Sequence, residues 1–261
     1  MNIAVCVKSV KSSMVYQNES MDETLTINPY DTFAINDILR IKKEIMESGQ
    51  ECNVSCLSMG VQSVKEILVR CIAMGADKGV LLSDIKFSGA DTVATTYTLT
   101  EGIKKLDNPS IIVCGNKSID GETGQVVYGI ARRLNIHCVA GVNKIIEIDD
   151  EFVVLETVFE DSINILKVKL PVVISYNDFT TTHENISLIK LKKARRKNID
   201  VFNAEDIGVS CDKCGITGSK TKVVNVASNL TRKVEKKIIE SNPQDMAKTI
   251  LQLIENNRAG G

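Results

Sequence analysis

The sequence predicts an α/β fold: a mostly parallel sheet covered by helices, extended by an antiparallel meander and followed by a C-terminal arm. Three observations carry this. Short β-branched runs alternate with helix-period segments over the first 140 residues, the pattern of a parallel sheet with helices on its faces. From residue 142 to 176 consecutive strand-like runs are separated only by turn residues. From Asp206 to Ser241 no period is sustained, and an amphipathic stripe follows. The 261 residues suit one large domain, or a domain with an arm, because single cores tend to split beyond roughly 250 residues.

The first strand is expected at Ile3 to Val7, the others of the parallel set at Val54 to Ser58, Gly79 to Leu82 and Ile111 to Cys114. Ala34, Ile38, Ile41 and Ile45 recur at helical spacing, and Asn28-Pro29 supplies an N-cap and a proline at the first helical position, so a helix runs from about Pro29 to Glu47. Val64, Ile67, Leu68 and Cys71 mark a second helix, Asp91 to Lys105 a third entered through Ser88-Gly89-Ala90-Asp91, and Thr123 to Leu134 a fourth. The meander takes Val142 to Ile148, Phe152 to Val158, Ile163 to Leu170 and Val172 to Tyr176, with turns at Asp149-Asp150 and Glu160-Asp161-Ser162. Beyond Pro243, Met246, Ile250, Leu253 and Ile254 stripe a last helix. The division expected is a binding domain, 1–205, and an arm, 206–261, whose apolar face needs a partner subunit or the chain's own sheet.

Composition narrows the function. Lys and Arg number 32 against 33 Asp and Glu, a formal charge of −1, so no overall pull toward nucleic acid or an anionic membrane exists. The chain opens on a strand-like run without the features of an export signal, and its apolar runs fall short of the ~18 residues of a membrane span; a cytoplasmic protein is expected. The eight Cys are scattered and read as reduced small hydrophobes. Cys211-Asp212-Lys213-Cys214 is a single C-x-x-C without the second pair a zinc ribbon requires. With only His137 and His183, an imidazole-rich metal site or a Ser-His-Asp triad would have to be built around one of these two, and no G-x-S-x-G elbow accompanies them; no metal site is expected.

The densest signal is Cys114-Gly115-Asn116-Lys117-Ser118-Ile119-Asp120-Gly121-Glu122-Thr123-Gly124-Gln125, which follows a buried strand and opens a helix. Backbone N–H groups at a helix start favour an anion, and the glycines let backbone approach it closely. An ordinary glycine-rich strand-to-helix connection has the same look, and neither a Walker loop nor G-x-G-x-x-G is present. Asn28-Pro29-Tyr30-Asp31 is explained as a helix start, with Asn28 capping, yet it falls at the same sheet edge. Ser88 to Thr96, with Asp91, Thr92 and Thr95, is dense in hydroxyls suited to phosphate or ribose, or to a helix surface. Lys190 to Lys197 is a basic run fit for a solvated loop or a partner contact.

Over nearly its whole length the chain resembles the β subunit of electron-transferring flavoproteins. The resemblance lies in Ile3-Ala4-Val5-Cys6-Val7-Lys8, Ile27-Asn28-Pro29-Tyr30-Asp31, Ser58-Met59-Gly60, Ala73-Met74-Gly75-Ala76-Asp77 and, most specifically, Cys114 to Val126. It implies a Rossmann-like, doubly wound sheet, a homologous α subunit that shares the working FAD and is embraced by the arm, and an adenine nucleotide inside this subunit. Carried over by position, that nucleotide would meet Cys6, Asn28, Pro29, Tyr30, Asp31, Met59 and the loop Gly115, Asn116, Lys117, Ser118, Ile119, Asp120, Gly121, Glu122, Thr123, Gly124, Gln125 and Val126. The nucleotide is AMP in most of the family and a second FAD in the electron-bifurcating branch. Ala90 to Leu99, with Asp91, Thr92 and Thr95, and Asp120 to Thr123 resemble that branch, which favours FAD.

The resemblance further implies an electron carrier without a proton-transfer catalyst, part of an NADH-dependent bifurcating oxidoreductase if it belongs to that branch. Leu188, in Asn185-Ile186-Ser187-Leu188, matches a leucine that docks an acyl-CoA dehydrogenase or another flavin dehydrogenase, with Lys192 to Lys197 as its rim; a core residue at a strand end is the plainer reading. Two departures stand out: Thr182-His183-Glu184 replaces the usual Pro-Arg-Tyr, and the stretch between Lys8 and Asn28 is short. A free-standing adenine-nucleotide-binding regulator is the rival reading.

Overall fold

The computed structural model describes residues 1–12, 24–159, 162–178, 186–222, 224 and 242–258. The Glu160-Asp161 turn, Thr182-His183-Glu184, Asn185, 13–23 and 225–241 lie outside the described residues.

Eleven strands are described: β1 (Asn2–Cys6), β2 (Ser9–Lys11), β3 (Leu25–Ile27), β4 (Asn53–Met59), β5 (Lys78–Leu82), β6 (Ile111–Gly115), β7 (His137–Ile148), β8 (Phe152–Phe159), β9 (Ser162–Lys169), β10 (Val172–Tyr176) and β11 (Ile199–Phe202). Nine form one sheet in the order β11-β5-β4-β1-β6-β10-β7-β8-β9, while β2 and β3 make a separate antiparallel pair. From β11 to β7 every pairing is parallel; β7, β8 and β9 run antiparallel. Strands that are buried on both faces explain the unbroken apolar runs. Ile3, Val5, Ile111 and Val113 point into one core layer, and Ala4, Cys6, Ile112 and Cys114 into the other.

The helices are α1 (Pro29–Glu47), α2 (Lys65–Met74), α3 (Thr92–Ile103), α4 (Val126–Leu134), α5 (Leu188–Ala194), the single turn α6 (Gly215–Gly218) and α7 (Pro243–Arg258). The apolar faces of α1 and α2 fill the first layer, those of α3 and α4 the second. Pro29 starts α1 and Asp31 sits in its positive first turn. Tyr176 is fully buried at the end of β10; its hydroxyl donates to Asp37 Oδ2 at 2.6 Å and its ring meets Phe33 edge-on, joining α1 to the sheet.

Three readings are corrected and one strand is added. Val172–Tyr176 belongs not to the meander but to the middle of the sheet, parallel to both β6 and β7. All five of its residues are buried, as a central parallel strand demands. Helix α4 starts at Val126 rather than Thr123, because Glu122 (φ 51°) and Gly124 (φ 63°) hold left-handed conformations that no helix turn can include. Strand β11, hidden beside the basic run, pairs with β5, and Lys78 Nζ meets Asp200 across that pair at 2.9 Å. Leu188 is no core residue: it opens the short helix α5, capped by Ser187, and stays 76% exposed.

Two compact units are distinguished, Met1–Lys222 and Val223–Gly261. Within the first, Ile207 and Cys214 are buried in the layer of α3 and α4, so this part of the expected arm packs as core. Within the second, α7 is described and carries Ile250, Leu251, Leu253 and Ile254 exposed. All eight cysteines are free thiols, six of them buried. Among the described residues no three His, Cys, Asp or Glu gather as a metal site, and no helix is long and apolar enough to cross a membrane.

Candidate functional site

The chain leaves β1 toward one side of the sheet and β6 toward the other, since α1 lies in one core layer and α4 in the opposite one. Between such strands, at their carboxyl ends, open α/β sheets leave a crevice that takes ligands. Cys6-Val7-Lys8 and Gly115 to Gln125 border that crevice here. Cavities of about 440 and 290 Å³ do open on the opposite edge, lined by residues such as Pro109, Ser110 and Leu170 in one and Asn2, Asn53 and Lys78 in the other. They sit at strand starts, away from the switch in winding direction.

Asp31 joins the two borders. Its carboxylate is buried; Oδ2 accepts the Lys8 N–H at 2.7 Å and Oδ1 the Gly115 N–H at 3.1 Å. Burial pushes its pKa up to about 7, against the pull of these amides and of the Lys8 charge. Gly115 is required at this point, for a Cβ there would meet Asp31 Oδ1 and stand 2.6 Å from Tyr30 Cβ. Asn28, expected to cap α1, makes no side-chain cap bond. Instead Nδ2 donates to the Lys117 carbonyl at 2.9 Å and Oδ1 accepts the Ile119 N–H at 3.2 Å, pinning the loop after β6 from both sides of its backbone. Fully buried, the amide side chain has found the one segment that satisfies both of its ends.

The loop closes on itself around Ser118, whose hydroxyl accepts the Gly121 N–H at 3.4 Å and whose carbonyl accepts the Glu122 N–H at 2.9 Å. Lys8 reaches over from β1, with Nζ 2.6 Å from Asp120 Oδ1 and 3.4 Å from Ser118 Oγ. Despite partial burial, that ammonium and Ser118 hold the Asp120 carboxyl below the usual range. Lys117 and Glu122 stand 3.5 Å apart. Both loop cations are thus matched by loop carboxylates, and an anion would be held chiefly by neutral amide and hydroxyl donors. Lys8 is the participant that residue-by-residue reasoning left out; it closed the first matching segment, but its long side chain gave no hint of direction.

The other expected residues divide. Thr92 Oγ1 lies 3.4 Å from Thr123 Oγ1, so the start of α3 does meet the loop. Cys6 is buried beside Cys114, and Met59 is half-buried at the end of β4; both pack in the layer of α3 and α4. Thr95 is half-buried and its N–H donates to the Asp91 carbonyl at 2.8 Å, while the hydroxyls of Thr96, Thr98 and Thr100 turn back to carbonyls of their own helix. Asp91 is occupied by its own helix cap and by Lys220 and Thr221. Leu188 belongs to another surface, on the helix whose Ala194 packs against Val69, Ile72 and Ala73 of α2.

These features define a class: a doubly wound α/β protein whose strand-to-helix loop, at the switch between β1 and β6, can hold the phosphate end of a ligand. Known sequences narrow it. An electron transfer flavoprotein domain matches residues 20–207. The chain is 35% identical over 230 residues to the electron transfer flavoprotein subunit beta of Clostridium acetobutylicum, covering 85% of this chain and 86% of that one. Over 230 residues it is also 35% identical to the caffeyl-CoA reductase-Etf complex subunit CarD of Acetobacterium woodii, covering 85% and 86%. Protein FixA of Sinorhizobium fredii is 32% identical over 271 residues, 97% and 93% of the two chains. The chain belongs to the family of electron transfer flavoprotein β subunits, proteins of flavin-based electron transport that work with an α subunit and a dehydrogenase complex. A free-standing nucleotide-binding regulator is not favoured.

Proposed function

We propose that this chain, as a heterodimer with an α subunit, passes electrons to or from a flavin dehydrogenase, and that the crevice between β1 and β6 holds the adenylate part of a second FAD in preference to AMP. The observation that carries the site is the tie between its two borders: one buried carboxylate, Asp31, holds the amides of Lys8 and Gly115, and Asn28 holds the loop that follows. A frame tied by such bonds loses less entropy when it takes up a ligand. The residues fit the group. Ser118, Thr92 and Thr123 supply hydroxyls, residues 120 and 123 to 125 supply main-chain N–H groups that the loop itself does not use, and Lys8 and Lys117 supply charge that a phosphate can share with Asp120 and Glu122.

When bound, the flavin supplies the redox chemistry, accepting and giving electrons one or two at a time; the protein supplies position and dielectric. In that role Asn28 and Asp31 set the shape of the loop, Lys8 orients it, and Cys6 and Met59 offer an apolar, polarizable floor for a planar ring. The name of CarD ties that relative to a caffeyl-CoA reductase complex, and a dehydrogenase acting on an acyl-CoA is the partner proposed for this chain. Preference for FAD rests on the likeness of Ala90 to Leu99 and Asp120 to Thr123 to the bifurcating branch.

The test is a count. The purified αβ complex is denatured and the FAD and AMP released per heterodimer are measured. Two FAD are expected; one FAD with one AMP would replace the bifurcating reading by simple transfer, and no adenine nucleotide beyond one FAD would remove the site from this subunit.

A further inference from the structure

Asp91 matches the position of a nucleotide ligand, yet its carboxylate has no capacity left for one. Oδ1 accepts the N–H groups of Val93 and Ala94 at 2.9 and 3.0 Å, capping α3. Oδ2 accepts the N–H groups of Lys220 and Thr221 at 2.6 and 2.9 Å and the Thr221 hydroxyl at 3.2 Å. Five donors thus meet a group with about four lone-pair sites. The backbone around it is joined to the same segment. The Asp91 N–H donates to Ser219 Oγ at 2.8 Å, the Ser219 hydroxyl reaches the carbonyls of Gly215 and Gly89 at 2.8 and 3.1 Å, and the Ile216 N–H donates to the Ser88 carbonyl at 2.9 Å. Residues 215–221 are laid along 88–91, one residue short of Lys222, where the first compact unit ends. On the other side of Asp91, Thr92 meets Thr123 of the loop after β6.

We propose that Asp91 is a positioning residue that couples occupancy of the loop after β6 to the mooring of residues 219–221, the last stretch before the chain leaves this unit. The inference rests on the nucleotide reading given above. A carboxylate is planar, so its two oxygens move together: a ligand that stiffens Thr123 and Thr92 steadies the first turn of α3, and with it the oxygen that holds Lys220 and Thr221. Coupling of this kind is reciprocal, so fastening the segment also tightens the ligand. The charge that serves both bonds is secure at neutral pH, because the amide donors outweigh the burial that opposes them and hold the pKa near 2.

Asp91→Asn separates the two halves. Asparagine caps a helix as well as aspartate does, but its NH2 group cannot accept from Lys220 and Thr221. The αβ complex, freed of adenine nucleotide, is titrated with FAD and separately with AMP, and amide hydrogen exchange is followed at Lys220 and Thr221. In the native complex the bound nucleotide is expected to slow exchange there by about fivefold or more. Asp91→Asn should abolish this protection and weaken binding by the same factor. Thr221→Val, which removes a single exposed donor, should lose part of both, by about twofold or more, and decides the matter if Asp91→Asn does not fold. Nucleotide binding with unchanged exchange at these amides, or full protection in both variants, overturns the coupling and leaves the site standing. Failure of both nucleotides to bind overturns the site and the coupling with it.

Discussion

At the scale of single residues, the site depends on polar side chains that local rules assign to other tasks. Asn28 has the identity and place of a helix cap, but at 1% exposure it serves a loop rather than its own helix. Asp31 has the place of a residue favoured by the helix dipole, and it is that, yet its two oxygens are spent on amides of Lys8 and Gly115. Its raised pKa has a consequence for stability. The unfolded chain releases the proton near the ordinary value of 3.8 and the folded one near 7, so between these the folded state binds more protons. The stability this group contributes is therefore full below about pH 4 and is lost as pH rises toward 7. In Asp31→Asn one amide loses its acceptor, at a cost of about 2 kcal/mol, and the pH dependence belonging to this group disappears. Urea unfolding at pH 5 and pH 8 checks this: the native chain should lose more stability between the two than the variant does.

At the scale of elements, the loop after β6 is shaped by two demands that pull against helix formation. Glu122 and Gly124 take left-handed conformations, and Asn28 holds the Lys117 and Ile119 peptides in place, so α4 can begin only at Val126. The cost of crowding this loop should fall on its first residue. In Gly115→Ala the added methyl would sit 2.6 Å from Tyr30 Cβ and 2.9 Å from the Tyr30 carbonyl carbon, so backbone as well as side chain must shift. Overpacking of this sort costs about 1–3 kcal/mol, and a thermal melt of the variant should show that loss together with reduced nucleotide content. Element β10 teaches a different lesson. Its run Val172 to Tyr176 is adjacent in sequence to the antiparallel strands, and adjacency suggested a fourth meander strand. The distinguishing sign was present: β9 alternates apolar residues with Ser, Asn and Lys, whereas β10 is apolar but for Ser175 and Tyr176, as a strand covered on both faces must be.

At the scale of the whole molecule, the dehydrogenase partner proposed for this chain has a candidate surface outside the crevice, on α5. Leu188 stands 76% exposed beside Ile189, itself 68% exposed, on a helix that also carries Lys190, Lys192 and Lys193. An exposed apolar anchor with a basic rim suits a partner with a pocket edged in acid, the anchor supplying affinity and the rim the rate of encounter. Leu188→Ala should raise the KM for the dehydrogenase by roughly tenfold, about 1.4 kcal/mol of docking, while flavin content and melting temperature stay as they were, since a side chain this exposed contributes little to stability. A parallel loss of flavin would make the residue structural.

Four strands of the parallel core, the four helices that cover it and the loop from Cys114 to Val126 were legible in the chain. Each is written in the spacing of neighbours: period two or an unbroken apolar run for strands, three to four for helices, glycine where backbone must turn. The place of β10, the edge strand β11 and the packing of residues 204–221 into the first unit were decided only in three dimensions. So were the contacts that make the site: Asn28 to Lys117 and Ile119 across 89 and 91 residues, Asp31 to Gly115 across 84, Asp91 to Lys220 across 129. Such bonds leave no period to read, because the partner of a buried polar group is whichever segment the order of strands carries past it.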